Sequence, residues 1–113
     1  MEIKFRGFSE ELKCFVYGFY QEVEAEGVGY SYIFWQGHVT PVRADSVAQF
    51  TGVYDKNDVE IYDKDQLKIK GFKETWKTKV RFENGGFCID VEEQEYNVTL
   101  IGFLDDEAII KVI

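Results

Sequence analysis

Short runs of alternating apolar and charged residues, each ended by a turn signal, constrain the fold of this chain more than any other feature. In 76–82 every second residue is apolar or threonine, and those between are lysine or arginine. Asn84-Gly85 follows, a pair that suits the positive φ angles of a type I′ turn. The alternation resumes in 87–92, and a side-chain period of two is typical of a half-buried strand. The sequence therefore predicts a β-hairpin here.

A two-residue turn at Asn84-Gly85 also predicts the register of this hairpin, because turn type and length fix the pairing. The pairs expected on the buried face are Phe82–Phe87 and Val80–Ile89. The pairs expected on the outer face are Lys79–Asp90 and Lys77–Glu92. Opposite charges placed across strands stabilise a sheet by about 0.2–1 kcal/mol each.

Similar strand signals recur along the rest of the chain and are separated by polar turns. They lie in 3–8, 14–20, 30–35, 38–42, 49–54, 60–62, 67–70, 96–104 and 108–113. The acidic segment 21–29 is interpreted as a loop, and 44–48 as one helical turn. Many short strands with close turns predict a mostly β fold of antiparallel hairpins, a sandwich or a small barrel.

Composition limits the function classes. The chain has 113 residues, a length typical of one domain, and a formal net charge of -8. Such a charge repels nucleic acid and anionic membranes through the overall field, although it leaves a local basic patch open. Aromatic residues make up 17% of the chain, more than one core of this size can hold. We therefore expect exposed aromatic surface and a protein partner or self-association.

No segment resembles a membrane span or a signal peptide, so a cytoplasmic location is expected. Cys14 and Cys88 lack the spacing of a zinc site and are interpreted as reduced thiols. His38 is the only histidine, and no catalytic triad can be assembled around it. We predict no metal, no cofactor and no catalytic residue.

The aspartates at 55, 58, 63 and 65 cluster around two corners, but they lack the order of a calcium loop. We interpret them as turn residues whose side chains bind the local backbone.

The segment 42–65 reads VRADSVAQFTGVYDKNDVEIYDKD. It resembles the pattern P-E-T-V-G-Q-[FY]-T-G-L-x-D-K-N-G-K-E-I-Y-E-G-D of the YopX family, small proteins of phages and prophages. The segments 3–8 and 16–18 are similar to the family's first strands, and 99–103 stands where the family has V-I-G-N. The resemblance spans most of the chain.

The resemblance implies a phage or prophage protein of unknown function with a part like a small Src-homology-3 barrel. It implies a single YopX-like domain over 1–113, with an N-terminal hairpin in 1–35 and the barrel-like part in roughly 47–113. It implies no catalytic residue. Asp58 and Lys64 stand where the family has glycine, and both positions are expected to have φ > 0.

The segment 64–81 forms a basic hairpin with seven lysines and arginines against two acids. Basic groups beside aromatic rings are typical of single-strand binding. The candidate contacts with nucleic acid or another partner are Lys68, Lys70, Lys73, Trp76 and Arg81. A solvated face neutralised by the acids of the next strand is the favoured alternative, since charged outer faces are ordinary on antiparallel sheets.

Two other functions stay open beside nucleic-acid binding. The preferred hypothesis is a non-enzymatic interaction or regulatory module. The other is a DNA mimic that would present the acids of 92–95 and 105–107 to a basic host protein.

Overall fold

The structure, a computed structural model, describes residues 3–70, 74–83, 85–90, 98–100 and 108–113, with the backbone alone for 98–100. Antiparallel strands dominate it, and the mostly β class predicted from the sequence is confirmed. The strands are β1 (Phe5–Ser9), β2 (Cys14–Ala25), β3 (Val28–Trp35), β4 (His38–Val42), β5 (Ala48–Tyr54), β6 (Glu60–Tyr62), β7 (Gln66–Lys70), β8 (Thr75–Lys79), β9 (Arg81–Glu83), β10 (Gly86–Asp90), β11 (Val98–Leu100) and β12 (Ile109–Val112). The helical turn expected at 44–48 is a 3-10 turn, Ala44–Ser46.

The chain forms two compact units, Met1–Phe50 and Thr51–Ile113. In unit 1 the strands are ordered β4-β3-β2-β1-β5. Strand β5 continues into unit 2, where β6 is its neighbour. The boundary lies close to the position, about 47, at which the barrel-like part was expected to begin. That the whole chain is one domain stays a prediction.

The expected loop at 21–29 is wrong, because β2 and β3 continue through it as a ladder that ends at the pair Ala25 and Val28. Only Glu26 and Gly27 connect the strands, and their φ angles are +54° and +79°. Positive φ at both central residues is the property of a type I′ turn, which matches the twist of a hairpin. Acidic composition indicated a loop, but both strands here face solvent and tolerate charge.

The buried face of unit 1 centres on Ile33 of β3. Polar side chains in this core have partners, as buried polar groups need. Trp35 Nε1 donates to Thr40 Oγ1 at 2.7 Å, and the hydroxyls of Tyr20 and Ser31 lie 3.3 Å apart. Gly18 on β2 faces the same side, and a Cβ there would collide with the carbonyl oxygen of Phe34.

Unit 2 contains two three-stranded sheets, ordered β12-β7-β8 and β11-β10-β9. Six fully buried aliphatic side chains form its core, and Trp76 and Phe87 pack against them. These side chains are Ile61, Leu67, Ile69, Val80, Ile89 and Ile109. Antiparallel sheets around one such core agree with the predicted barrel or sandwich.

Two corners of unit 2 follow the expectations from the sequence. Asp58 and Lys64 have φ angles of +62° and +71°, as expected for residues that stand at glycine positions. Asp55 and Asp65 are buried and accept hydrogen bonds from backbone N–H groups of their own corners. These aspartates are turn residues, as predicted.

The register predicted for the hairpin around residue 84 is confirmed for Phe82–Phe87 and Arg81–Cys88. Residue 84 itself lies outside the described residues. The strand before it, however, is interrupted at Val80, whose N–H and C=O bond to Asp65 and Lys64. The predicted outer pairing of Lys79 with Asp90 is therefore wrong, because the ladder with β10 ends at the pair Arg81 and Cys88. Phe82 was expected to be buried and is 56% exposed.

Candidate nucleic-acid interface

One face of the sheet β12-β7-β8 is covered with lysines. On β7, Leu67 and Ile69 point into the core, so Lys68 and Lys70 point outward by the period of two. On β8, Thr78 is buried while its neighbours Lys77 and Lys79 are exposed. We call the side chains of Lys68, Lys70, Lys77, Lys79 and Lys111 the lysine face.

Lys111 joins this face through a β-bulge. Ile109 is opposite Ile69, but Lys111 is opposite Lys68, so Ile110 is the extra residue. A bulge shifts the alternation of the strand by one residue. In a regular ladder Lys111 would be opposite Leu67 and would point into the core. With the bulge, Ile109 stays buried and Lys111 is exposed.

The register aligns three lysines across the three strands. Lys68 lies between Lys111 on β12 and Lys77 on β8. Adjacent strands are about 4.8 Å apart, so the row spans roughly 10 Å. Like charges placed directly opposite each other destabilise a sheet. The arrangement is thus one that folding alone does not favour.

Within the part of the chain that the structure describes, none of these five lysines forms an ion pair with a carboxylate. On β7, Lys68 is opposite Lys77 and Gln66 is opposite Lys79. The described residues therefore give these lysines no acidic partner, and for Lys77 the neutralised face favoured from the sequence stays a prediction. Glu92, the partner predicted for Lys77, lies outside the described residues.

The structure separates the predicted contact residues. Lys68 and Lys70 lie on the lysine face. Trp76 is opposite Ile69 and packs against the core, so it lies on the other face of β8. Lys73 lies outside the described residues. The aromatic ring expected beside the basic groups is therefore not beside Lys68 and Lys70.

Arg81, the last of the candidate contacts, binds two carboxylates. Its guanidinium binds both carboxylate oxygens of Asp90 at 2.8 Å and donates to Glu83 Oε2 at 2.8 Å. The hydrogen bonds to Asp90 and then Glu83 raise the pKa of Arg81, and Arg81 lowers the pKa of Asp90. Asp90 is the acid that the sequence interpretation assigned to Lys79.

A shallow cleft of about 450 Å³ lies beside this pair in unit 2. Its lining mixes Asp63 and Asp90 with Lys64, Lys79 and Arg81. Charges of both signs leave it without a single dominant field, so the lysine face is the more strongly basic surface.

The described residues do not bring together three metal-binding side chains of the His, Cys, Asp or Glu type. His38 packs against Trp35 with ring centroids 4.9 Å apart. Cys14 is exposed and Cys88 is buried, and both are free thiols.

The sequence interpretation missed Lys111 and gave Lys79 the wrong partner, Asp90. The signal for Lys77 and Lys79 was present in the strict alternation of 75–79, which is the same as in 66–70. The signal for Lys111 was weaker, because two adjacent isoleucines do not show which of them is the extra residue of a bulge. In addition, β12 pairs with a strand about 40 residues earlier in the chain.

Comparison with known proteins adds a family. A family model described as YopX protein matches residues 4–109, nearly the whole chain. No curated protein matches. Among the residues that the structure describes, no helix has the length and apolar character needed to cross a membrane. The match runs through both units and ends at the first residue of the last strand, and on this basis the chain belongs to the YopX family.

Proposed function

We propose that this YopX-family chain is a non-enzymatic binding module of phage or prophage origin that works in the cytoplasm and binds nucleic acid through the lysine face. The observation that carries the proposal is the set of five lysines on one sheet face without a carboxylate partner among the described residues. In a chain with a net charge of -8, such a face concentrates positive charge in one place.

The geometry favours contacts to phosphates over contacts to bases. Lys68 and Lys70 on one strand are about 7 Å apart, and the neighbouring strands add lysines at about 4.8 Å spacing. Trp76 lies on the opposite face and offers no stacking surface there. Lysines that contact phosphates position a duplex without reading its sequence. Double-stranded DNA bound without sequence preference is therefore the expected ligand.

The test is fluorescence anisotropy with a labelled DNA duplex at several salt concentrations. Neutralising about four or five phosphates gives a slope of log K against log salt between about -3.5 and -4.5. The double variant Lys68→Gln/Lys77→Gln should weaken binding and make the slope shallower by about 2.

A matched control is Lys56→Gln, an exposed lysine of the same unit that lies in a corner off this sheet. It removes one positive charge, against two in the double variant, and should leave the slope nearly unchanged. If the double variant binds the duplex as tightly as the parent, or if Lys56→Gln weakens binding equally, the lysine face is not the interface.

The DNA-mimic hypothesis depends on acids at 92–95 and 105–107, which lie outside the described residues, and no observation favours it over the lysine face.

A further inference from the structure

Unit 1 presents a second surface, on the face of its sheet that points away from Ile33. The odd-numbered residues of β2 and the even-numbered residues of β3 share this face, and aromatic rings dominate it. We call it the aromatic face, formed by Phe15, Tyr17 and Phe19 on β2 and by Tyr30, Tyr32 and Phe34 on β3. Phe19, on the middle strand of the five, is 68% exposed.

The rings are ordered by the strand register. Phe19 is directly opposite Phe34, and the rows on either side place Tyr32 opposite Gln21 and Arg6 opposite Tyr17. Successive residues on one face of a strand are about 7 Å apart. An extended single strand can therefore stack successive bases on successive rings along β2.

The charges of this surface select the partner. The positions of β1 to β4 that share the aromatic face hold no aspartate or glutamate, although the chain has 21 of them. The acids of β2, Glu22 and Glu24, alternate onto the opposite face. Arg6 lies on the aromatic face, with its guanidinium 5.1 Å from the centre of the Phe15 ring. A surface that combines aromatic rings with a cation and has no acids is complementary to a ligand with negative charges and aromatic rings, as a nucleic acid has.

We propose that the aromatic face binds single-stranded nucleic acid by stacking bases on its rings, with Phe19 as the central stacking residue. Base stacking on aromatic side chains is tolerant of sequence, because every base has a π-face. A second copy of this chain would bury the same rings, and light scattering distinguishes that occupant from a nucleic acid. The site is separate from the lysine face and does not depend on it.

The test uses labelled 12-nucleotide oligo-dT and oligo-rU with the full chain. Phe19→Ala should weaken binding about tenfold, whereas Phe19→Tyr retains a ring and should bind like the parent. Phe82→Ala is the matched control, since Phe82 is a similarly exposed phenylalanine in unit 2. The effect should persist in Lys68→Gln/Lys77→Gln, and duplex binding should be insensitive to Phe19→Ala, which separates this site from the lysine face.

Equal affinity of the parent and Phe19→Ala for both oligonucleotides would overturn the inference, as would the absence of binding by the parent. A dimer in light scattering that Phe19→Ala dissociates, without oligonucleotide binding, would assign the face to a second copy. Because Phe19 is mostly exposed, the variant should fold, and a circular dichroism spectrum like that of the parent checks this.

Discussion

The side chain of Asp55 stabilises the first corner of unit 2 through three hydrogen bonds. Its Oδ1 accepts from the N–H groups of Asn57 and Val59 at 2.7 and 2.9 Å, and its Oδ2 accepts from Val112 N–H at 3.1 Å. The side chain thus ties a local turn to β12, and it is 4% exposed. One carboxylate here satisfies three backbone donors that would otherwise be left unpaired.

Asp55→Ala should lower the free energy of unfolding by about 3 kcal/mol, because buried N–H groups lose their acceptor. Asp55→Asn keeps Oδ1 and places an NH₂ group against Val112 N–H, so its loss should be smaller. Urea denaturation of the three proteins measures both. Equal stability of Asp55→Ala and the parent would show that water replaces the carboxylate without cost.

Lys64 adopts a left-handed conformation that glycine adopts with less strain. Lys64→Gly should therefore raise the free energy of unfolding by up to about 1 kcal/mol. Lys64→Ala removes the same side chain and keeps the strain, so it should not stabilise the protein. Thermal unfolding compares the two, and a gain shared by both variants would point to the lost charge instead of the backbone.

The aspartates of both corners could be predicted from the sequence, because aspartates in a polar turn are a local signal. The positive φ angles of Asp58 and Lys64 were implied by the resemblance to the family, which has glycine at both positions. The ion pairs of Arg81 could not be predicted. Arg81 and Asp90 are close only because the strand is interrupted at Val80, and that interruption comes from backbone bonds to a corner 15 residues earlier.

At the scale of elements, the alignment of β12, β7 and β8 decides which charges meet. The sequence predicted strands near 67–70 and 76–82 and the hairpin register at Phe82–Phe87. It also predicted the basic hairpin of 64–81, in which β7 and β8 pair. It did not predict that the ladder with β10 ends at Arg81 or that β12 lies on the other side of β7, since alternation shows which face is buried but not which strand is the neighbour.

The row Lys111–Lys68–Lys77 should make the sheet less stable than a neutral row. Lys68→Gln removes the central charge and should raise the free energy of unfolding by about 0.5 kcal/mol at low salt, while it weakens duplex binding. The gain should shrink in high salt, which screens exposed charges. Lys70→Gln, whose neighbour on β8 is Thr75, is the control and should gain less. A Lys68→Gln variant less stable than the parent would contradict this account.

At the scale of the whole molecule, charge and aromatic surface are sorted by strand face. The net charge of -8 indicated a protein that repels nucleic acid, but a net charge says nothing of how charges are distributed. The sequence did predict exposed aromatic surface from composition, and the rings of Phe15, Tyr17, Phe19 and Tyr30 confirm it. That these rings share one face was not predicted, because it depends on the long ladder between β2 and β3. The loop expected at 21–29 would have ended that ladder early.

The bulge at Ile110 has a genetic consequence. Since Ile110 is the residue that the ladder leaves unpaired, loss of one of the two adjacent isoleucine codons would give a regular strand with Lys111 still opposite Lys68. Loss of one codon within Gln66–Lys70 would instead exchange the inner and outer faces of the rest of β7. Deletions of equal size in neighbouring strands should therefore differ sharply in how often they survive.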